Sequence, residues 1–507
     1  MSRITPSDQD MRSRTALAVF VGCFLALAIL KVAAIDEPPA WDASFSVFPA
    51  AEALVDANFD YGQVLAAPGY ADGGPNVHTL SIVTLVTAVS VFIFGEPHTL
   101  FPVLHVVHLA IAAAAAAGLY RLGAHMLDRR SAIAAAVAAL TMPVVITQAG
   151  MMYLEMPLLA ATVWAAVAWL EGRLGTAVAL ATVAVAVKQP GLATAGGLAL
   201  ATLIDPIRER RKPRFAAMML AFPLAVVFLD LVTRGDAVPV RTASVAQFDF
   251  AVTQSARFSA RLPDLLLILA LYLVTRPFIS SRPLRDDDEL TIGVQRFEVL
   301  VGSLTVAFLG FYAATAWLGV VVLPRYWVQI VPFLIVALIV ALRRFADRNI
   351  AFVTSLLIAG LFLANIAGAF YPPAGQNNFP LTERSGEYAP LLDLHRRSAA
   401  AIAQLPDDVP VYYSLADHYR VTYPASGYVQ TPVANGVNVL TIPTERRSDI
   451  TTYPNDFYVV ADQARLGGGA LASVWSSAEA SPDYTTAAAA LVSGEFTVSI
   501  VRVTRNP

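Results

Sequence analysis

The chain has 507 residues, of which 56% are hydrophobic and only 14% charged, against about 25% charged in an average soluble protein. A mean hydropathy of +0.59 excludes an ordinary cytosolic enzyme, and a net charge of −3 without a basic tail leaves no electrostatic footprint for nucleic acid. The single cysteine, Cys23, excludes a disulfide framework and CxxC metal or redox chemistry.

Apolar runs fill the chain to about residue 370 and then stop. The first, 15–35, follows Arg3, Arg12 and Arg14 and has 21 residues, more than the roughly 7–15 of a cleavable signal peptide. It reads as an uncleaved signal anchor with a cytoplasmic N-terminus. An outer loop, 36–98, comes next. Further spans are predicted at 99–120, 131–149, 157–170, 215–232, 262–279, 297–317, 326–342 and 350–370.

Two segments need separate treatment. In 78–94, Ser81, Thr84, Thr87 and Ser90 recur every third residue and place hydroxyls along one helix face. If this segment stays on the outer face, the inner segments hold eighteen Lys and Arg against six in the short outer loops; if it crosses, the count is nine inside against fifteen outside. The positive-inside rule selects the first arrangement, a juxtamembrane or re-entrant helix. The 31 residues 174–204 must then go out and return, too few for two full spans, which need about 40. They read as a hairpin of short helices broken at Lys188-Gln189-Pro190-Gly191. About eleven crossings result, with the C-terminus outside.

After residue 370 the composition turns to Pro, Tyr, Asp, Asn and Thr, with strand-like runs at 409–415, 457–461 and 496–503. The chain therefore divides into a transmembrane domain, 1–370, and a small external α/β domain, 371–507. Gly73-Gly74 and Gly467-Gly468-Gly469 lack phosphate-loop spacing and read as turns.

The informative chemistry lies where ionisable residues meet the membrane on the outer side. Residues 36–77 hold seven acids and no Lys or Arg. Most of them suit a solvated, translocated loop. Asp36 and Glu37, however, end the first span directly before Pro38-Pro39, where restricted backbone fixes a carboxylate fit to act as general base on an acceptor hydroxyl. Glu155 stands between two apolar runs, where an acid is costly unless it has a partner or a task; its plain reading is a break between two helices. Lys188, one of three lysines in the chain, sits at the hairpin break, where a compact ammonium suits phosphate capture, snorkelling being the bland alternative. Arg325 breaks the charge trend at an outer span end and reads as a second phosphate clamp or an interfacial anchor, with Tyr326 and Trp327 as belt aromatics. His105 and His108 share a helix face and suit a packed interface better than a metal site. His78 opens the outer helix and faces the acidic loop. No metal-ligand spacing is present; a divalent-ion requirement stays open, and no other cofactor is expected.

Taken together, the Asp36-Glu37 pair, Gly74-Pro75 before a juxtamembrane helix, Glu155-Met156-Pro157, Lys188-Gln189-Pro190-Gly191, and Arg325-Tyr326 before a span bearing Pro332 resemble the membrane glycosyltransferases of the GT-C fold, in particular the protein O-mannosyltransferase and lipid A aminoarabinose transferase types. The resemblance covers roughly residues 15–370. It departs at Glu155, where Asp is common, and at Gln189, where Gly is common. It implies a mainly α polytopic fold, a polyprenyl-phosphate sugar donor and a lipid, glycan or protein acceptor. It also implies Asp36 as base, Glu155 and Glu37 positioning sugar or acceptor, Lys188 and Arg325 on the leaving phosphate, and His78 and Tyr326 as further binding residues. One displacement with a base on one side and cations on the other inverts the anomeric centre.

Two other classes remain. A secondary transporter shares the broken hairpin and buried charge, but the chain shows no internal repeat of spans. A non-enzymatic membrane assembly or sensing protein keeps the spans without a reason to gather Asp36, Glu155, Lys188 and Arg325 on one face. Ala- and Arg-rich, Lys-poor usage suggests a GC-rich prokaryote and hence the plasma membrane.

Overall fold

A computed structural model describes residues 6–39, 43–66, 81–205, 212–234, 245–259, 288–345, 348–366, 388–443, 446–462, 468–493 and 496–507, with scattered positions between 264 and 274. The span expected at 262–279 and the domain boundary near 370 fall largely outside these residues.

Helices stand where most apolar runs were expected. They are α1 (Pro6–Lys31), α2 (Phe48–Asp56), α3 (Tyr61–Ala66), α4 (Ile82–Phe94), α5 (Pro97–Gly123), α6 (Arg129–Thr141), α7 (Pro143–Ala149), α8 (Glu155–Leu170), α9 (Leu174–Val187), α10 (Gly191–Ile204), α11 (Lys212–Arg234), α12 (Val245–Ser259), α13 (Asp288–Ala316), α14 (Val331–Phe345) and α15 (Arg348–Ile366). Among the described residues, three helices are long and apolar enough to cross a membrane singly: Asp10–Ala34, Pro97–Gly123 and Gly293–Ala316. The run 131–149, expected as one span, is broken: α6 and α7 meet at 74°. The cause is local. Pro143 opens α7, and Met142 before it takes an extended ψ of 129°, the conformation that proline imposes on its predecessor.

The helices approach closely because the buried faces are built from small residues. Ala112, Ala113, Ala115 and Ala116 of α5 share one core with Ala132, Ala135, Ala136 and Ala139 of α6, Ala165, Ala166 and Ala168 of α8, and Ala177 and Ala181 of α9. Within a lipid-like surround, such faces bind through close van der Waals contact rather than exclusion of water. Asp128 starts α6 by accepting the Arg130 and Ser131 N–H groups at 3.1 and 3.2 Å.

The helix α4 is inside out by soluble standards. Ile82, Leu85, Val86, Val89, Phe92 and Ile93 are exposed, whereas Ser81, Thr84 and Thr87 are buried. Three of the four hydroxyls of the stripe therefore face protein, with Thr87 Oγ1 donating to the Val83 carbonyl at 2.8 Å, while Ser90 is half-exposed. Its 13 residues reach about 20 Å at 1.5 Å per residue, short of a hydrocarbon core of about 30 Å.

Beyond residue 388 the chain forms α16 (Tyr388–Ile402), β1 (Val411–Tyr413), α17 (Leu415–Thr422), β2 (Gly436–Asn438), β3 (Asp456–Asp462), α18 (Gly468–Ala480), β4 (Tyr484–Ser493) and β5 (Phe496–Arg505). The sheet order is β2-β1-β3-β5-β4. β1 pairs parallel with β2 and β3, and β5 runs antiparallel between β3 and β4. The three expected strands are present as β1, β3 and β5. Unforeseen were β2 and the alanine-rich edge strand β4.

This domain packs onto the segment between α1 and α5. One buried cluster runs from Val47, Phe48, Ala51 and Leu54 through Leu100, Phe101 and Leu104 to Leu391, Val421, Tyr428 and Val460.

Candidate functional site

Three chain breaks converge on one buried cluster. Glu155 is the first residue of α8. Lys188 closes α9 in an extended conformation, φ −161° and ψ 145°, before Pro190 turns the chain into α10. Arg325 lies in the tight 3-10 turn Pro324–Gln329 that precedes α14. Gly191 N–H donates to the Lys188 carbonyl at 2.9 Å, and the hairpin packs so tightly that a Cβ on Gly191 would fall 2.3 Å from the Ala184 carbonyl carbon. The break expected at 188–191 is thus a closed turn with no room for a side chain at residue 191.

Lys188 Nζ lies 2.5 Å from Glu155 Oε1, and Arg325 Nε lies 3.3 Å from the same oxygen. Side-chain exposure is 4% for Glu155 and 6% for each cation, so the ion pairs stand away from solvent. Pairing is obligatory there, since an isolated buried charge costs several kcal/mol. The triad carries a formal charge of +1. Tyr326 lies against both cations, its ring 4.9 Å from Lys188 Nζ and 5.2 Å from the Arg325 guanidinium carbon. Tyr153 faces Arg325 at 5.5 Å, and Tyr312 stacks on Tyr326 at 5.5 Å. Such ring faces attract cations by their quadrupoles.

A polar strut fixes the arrangement. Gln329 Nε2 donates to the Pro190 carbonyl at 3.0 Å and to Thr194 Oγ1 at 2.9 Å, joining the arginine turn to the lysine hairpin. Thr194 is in turn 2.8 Å from Thr162 Oγ1 on α8. Ser81 at the start of α4 donates to the Val187 carbonyl at 2.7 Å. A second buried ion pair, Arg296 Nε of α13 to Asp205 Oδ2 at 3.3 Å, ties α13 to the C-terminal end of α10, and the same guanidinium donates to the Leu170 carbonyl at the end of α8 at 3.1 Å and lies 4.8 Å over Trp169.

A different cluster surrounds the end of the first helix. Asp36 is exposed and Glu37 half-buried. Burial pushes the Glu37 carboxyl above its ordinary range; Lys31 and Arg396 oppose this, while Asp36 reinforces it. His105 Nε2 lies 3.0 Å from the Glu37 carbonyl oxygen. Lys31 Nζ donates to the Tyr388 hydroxyl at 3.3 Å and passes 2.9 Å from where a side chain on Gly150 would begin. Residues 150–155 therefore connect the two clusters: Lys31 crosses the first residue, Tyr153 faces Arg325, and Glu155 opens α8.

The structure thus gathers Glu155, Lys188, Arg325 and Tyr326, and sets Asp36 and Glu37 with Lys31. His78 lies outside the described residues. His108 turns into its own helix, Nδ1 lying 2.9 Å from the Leu104 carbonyl oxygen. Sequence reasoning missed Tyr153, Tyr312 and Gln329, which carry no signal apart from their place in apolar runs, and Tyr388, which belongs to the other domain.

No family model matches the chain, and no curated protein matches it. Among solved structures, it is similar to the crystal structure of ArnT from Cupriavidus metallidurans in the apo state, with a TM-score of 0.43 and 14% identity, covering 96% of this chain and 97% of that one.

Proposed function

We propose that the chain is a membrane glycosyltransferase that moves a sugar from a polyprenyl-phosphate donor to a lipid, glycan or protein acceptor on the outer face of the plasma membrane, with inversion at the anomeric carbon. The observation that carries the reading is the buried triad of Glu155, Lys188 and Arg325 at three converging helix breaks. A net cationic site near the ends of apolar helices suits a phosphate whose lipid tail remains in the bilayer. It stabilises the charge that develops as the phosphate departs.

In this reading Glu155 holds the two cations at a fixed spacing, since both meet its Oε1 atom. Lys188 and Arg325 take the leaving phosphate, and Tyr326 shields them from water. Asp36, exposed at the end of the first helix, takes the acceptor proton, and Glu37 orients the acceptor beside it. His78 is kept as a binding residue of the outer loop on sequence grounds. The N-terminus is cytoplasmic and the C-terminal domain external in this reading, which the excess of Lys and Arg in the inner segments supports.

Transfer from a panel of polyprenyl-phosphate sugars, measured with purified protein, tests the reading. Turnover with inverted product is expected. Binding of a solute without transfer, coupled to an ion gradient in proteoliposomes, would replace it with a transporter.

A further inference from the structure

The stretch that carries the carboxylate pair is gripped at both ends by the C-terminal domain. At its start, Lys31 donates to the Tyr388 hydroxyl on α16 at 3.3 Å, and the charge of Arg396 on the same helix favours the ionised Glu37 carboxyl. At its end, the Tyr428 hydroxyl donates to the Pro39 carbonyl at 2.8 Å. Between them His105 of α5 reaches the Glu37 carbonyl oxygen. Pro38 and Pro39 restrict their own φ, so a displacement at Pro39 is passed on to the carboxylates instead of being absorbed by the chain.

Two further contacts seat the turn that bears Tyr428. Ala425 N–H donates to Glu52 Oε2 at 2.9 Å. Gly427, at φ +74°, lies so close to α5 that a Cβ would fall 2.2 Å from the Phe101 ring. Phe101 packs edge-on against Phe48 with ring centroids 5.9 Å apart. The turn is therefore fitted to the outer ends of α2 and α5 and does not merely brush them.

We propose that the C-terminal domain is a clamp that holds the Asp36-Glu37 carboxylates in place relative to the Lys188–Arg325 cation pair, with Tyr428 and Tyr388 as its positioning residues. This rests on the proposed transferase reading. An inverting displacement needs the base and the phosphate-binding cations at fixed separation across the sugar, and a misplacement of about 1 Å costs up to about a hundredfold in rate. In this proposal the domain acts by position and not as base or phosphate ligand. Its part is to keep the acceptor side in register with the donor side.

Two variants of the full-length protein test this, Tyr428→Phe, which removes one hydroxyl, and Gly427→Ala, which forces the turn away from Phe101. Two readouts are taken: deuterium uptake of the peptide covering residues 30–39, and kcat with the donor KM. Faster uptake in that peptide is expected in both variants, with kcat lowered about threefold to thirtyfold and donor KM unchanged within about twofold. Unchanged uptake at 30–39 in both variants would overturn the clamp, and so would a loss confined to donor KM. If the wild type transfers no sugar from any donor, the transferase reading falls, and the clamp is still decided by uptake alone.

Discussion

The cation cluster and the carboxylate cluster are linked through residues 150–155 but are built on opposite plans. Glu155, Lys188 and Arg325 are buried, ion-paired and fixed by three helix breaks with the Gln329 strut between them. Asp36 is exposed, and its neighbour Glu37 is half-buried at a seam between domains. The first arrangement is over-determined within the helical bundle. The second depends on a separate domain arriving in the right place. The lesson is that charge buried in the bundle ties activity to stability, whereas charge on the seam separates them.

The largest expected effect falls on the seam and leaves the fold intact. Asp36→Asn should lower turnover by about 10² to 10⁴, with an unchanged unfolding temperature because the side chain is exposed. Normal turnover in the variant would remove Asp36 from the role of base. Glu155→Gln should do the reverse kind of damage: two buried cations lose their common partner, at a cost of about 3–5 kcal/mol. Thermal unfolding in a fixed detergent reads this directly, and an unshifted transition would show that the triad is not what holds the three breaks together.

Lys188→Met sharpens the comparison by keeping the apolar stem and removing the charge. Glu155 retains Arg325, so folding should survive while donor affinity falls about tenfold to a hundredfold. Lys188→Arg should rescue only part, because a planar fork does not replace a point charge at a closed turn. Equal affinity of all three proteins for a polyprenyl-phosphate sugar would leave Arg325 as the phosphate ligand without Lys188.

The smallest effect is pH-dependent and lies on the seam. Burial raises the Glu52 carboxyl to about 7, Asp56 adds to the rise, and the Ala425 N–H opposes it. The folded state thus favours the neutral form, so this contribution to domain docking is complete below the ordinary carboxyl value of 4.5 and is lost as pH rises through about 7. Screening by partial exposure leaves about 1 kcal/mol. Glu52→Gln cannot ionise, so it should be more stable than the wild type by that amount at pH 8 and nearly equal to it at pH 4. A difference that is the same at both values would mean that Glu52 ionisation plays no part in docking.

Much of the bundle was legible because the breaks announce themselves. A lone acid or cation between apolar runs can face only protein or a cavity, so Glu155, Lys188 and Arg325 stood out and proved to be neighbours. Tyr326 read as an aromatic at the membrane interface, and Tyr312 looked like any lipid-facing ring, because a periodic apolar pattern does not say which aromatic turns inward. Gln329 is polar but one turn from Arg325, and its partners at Pro190 and Thr194 are 139 and 135 residues away. The bend at Met142-Pro143 was available in principle, since the proline interrupts a run that otherwise reads as one helix. β4 was hidden for a different reason. Its core, Thr485-Thr486-Ala487-Ala488-Ala489-Ala490, has helical propensity, and only pairing with β5 makes it a strand. The clamp was invisible because Tyr388 and Tyr428 act on residues more than three hundred positions earlier.

The closed turn at Gly191 bears on which substitutions the lysine hairpin can tolerate. With a Cβ at 191 set to collide with the Ala184 backbone, the fourth letter of Lys-Gln-Pro-Gly admits glycine and nothing else without reopening α9 against α10. Gln189, half-buried in the same turn, has room that residue 191 lacks, so the second letter tolerates change better than the fourth. A search pattern for further proteins of this design does better to require Lys-x-Pro-Gly than Lys-Gly, and to demand a lone acid at the start of the preceding helix about 33 residues earlier, the Glu155-to-Lys188 spacing.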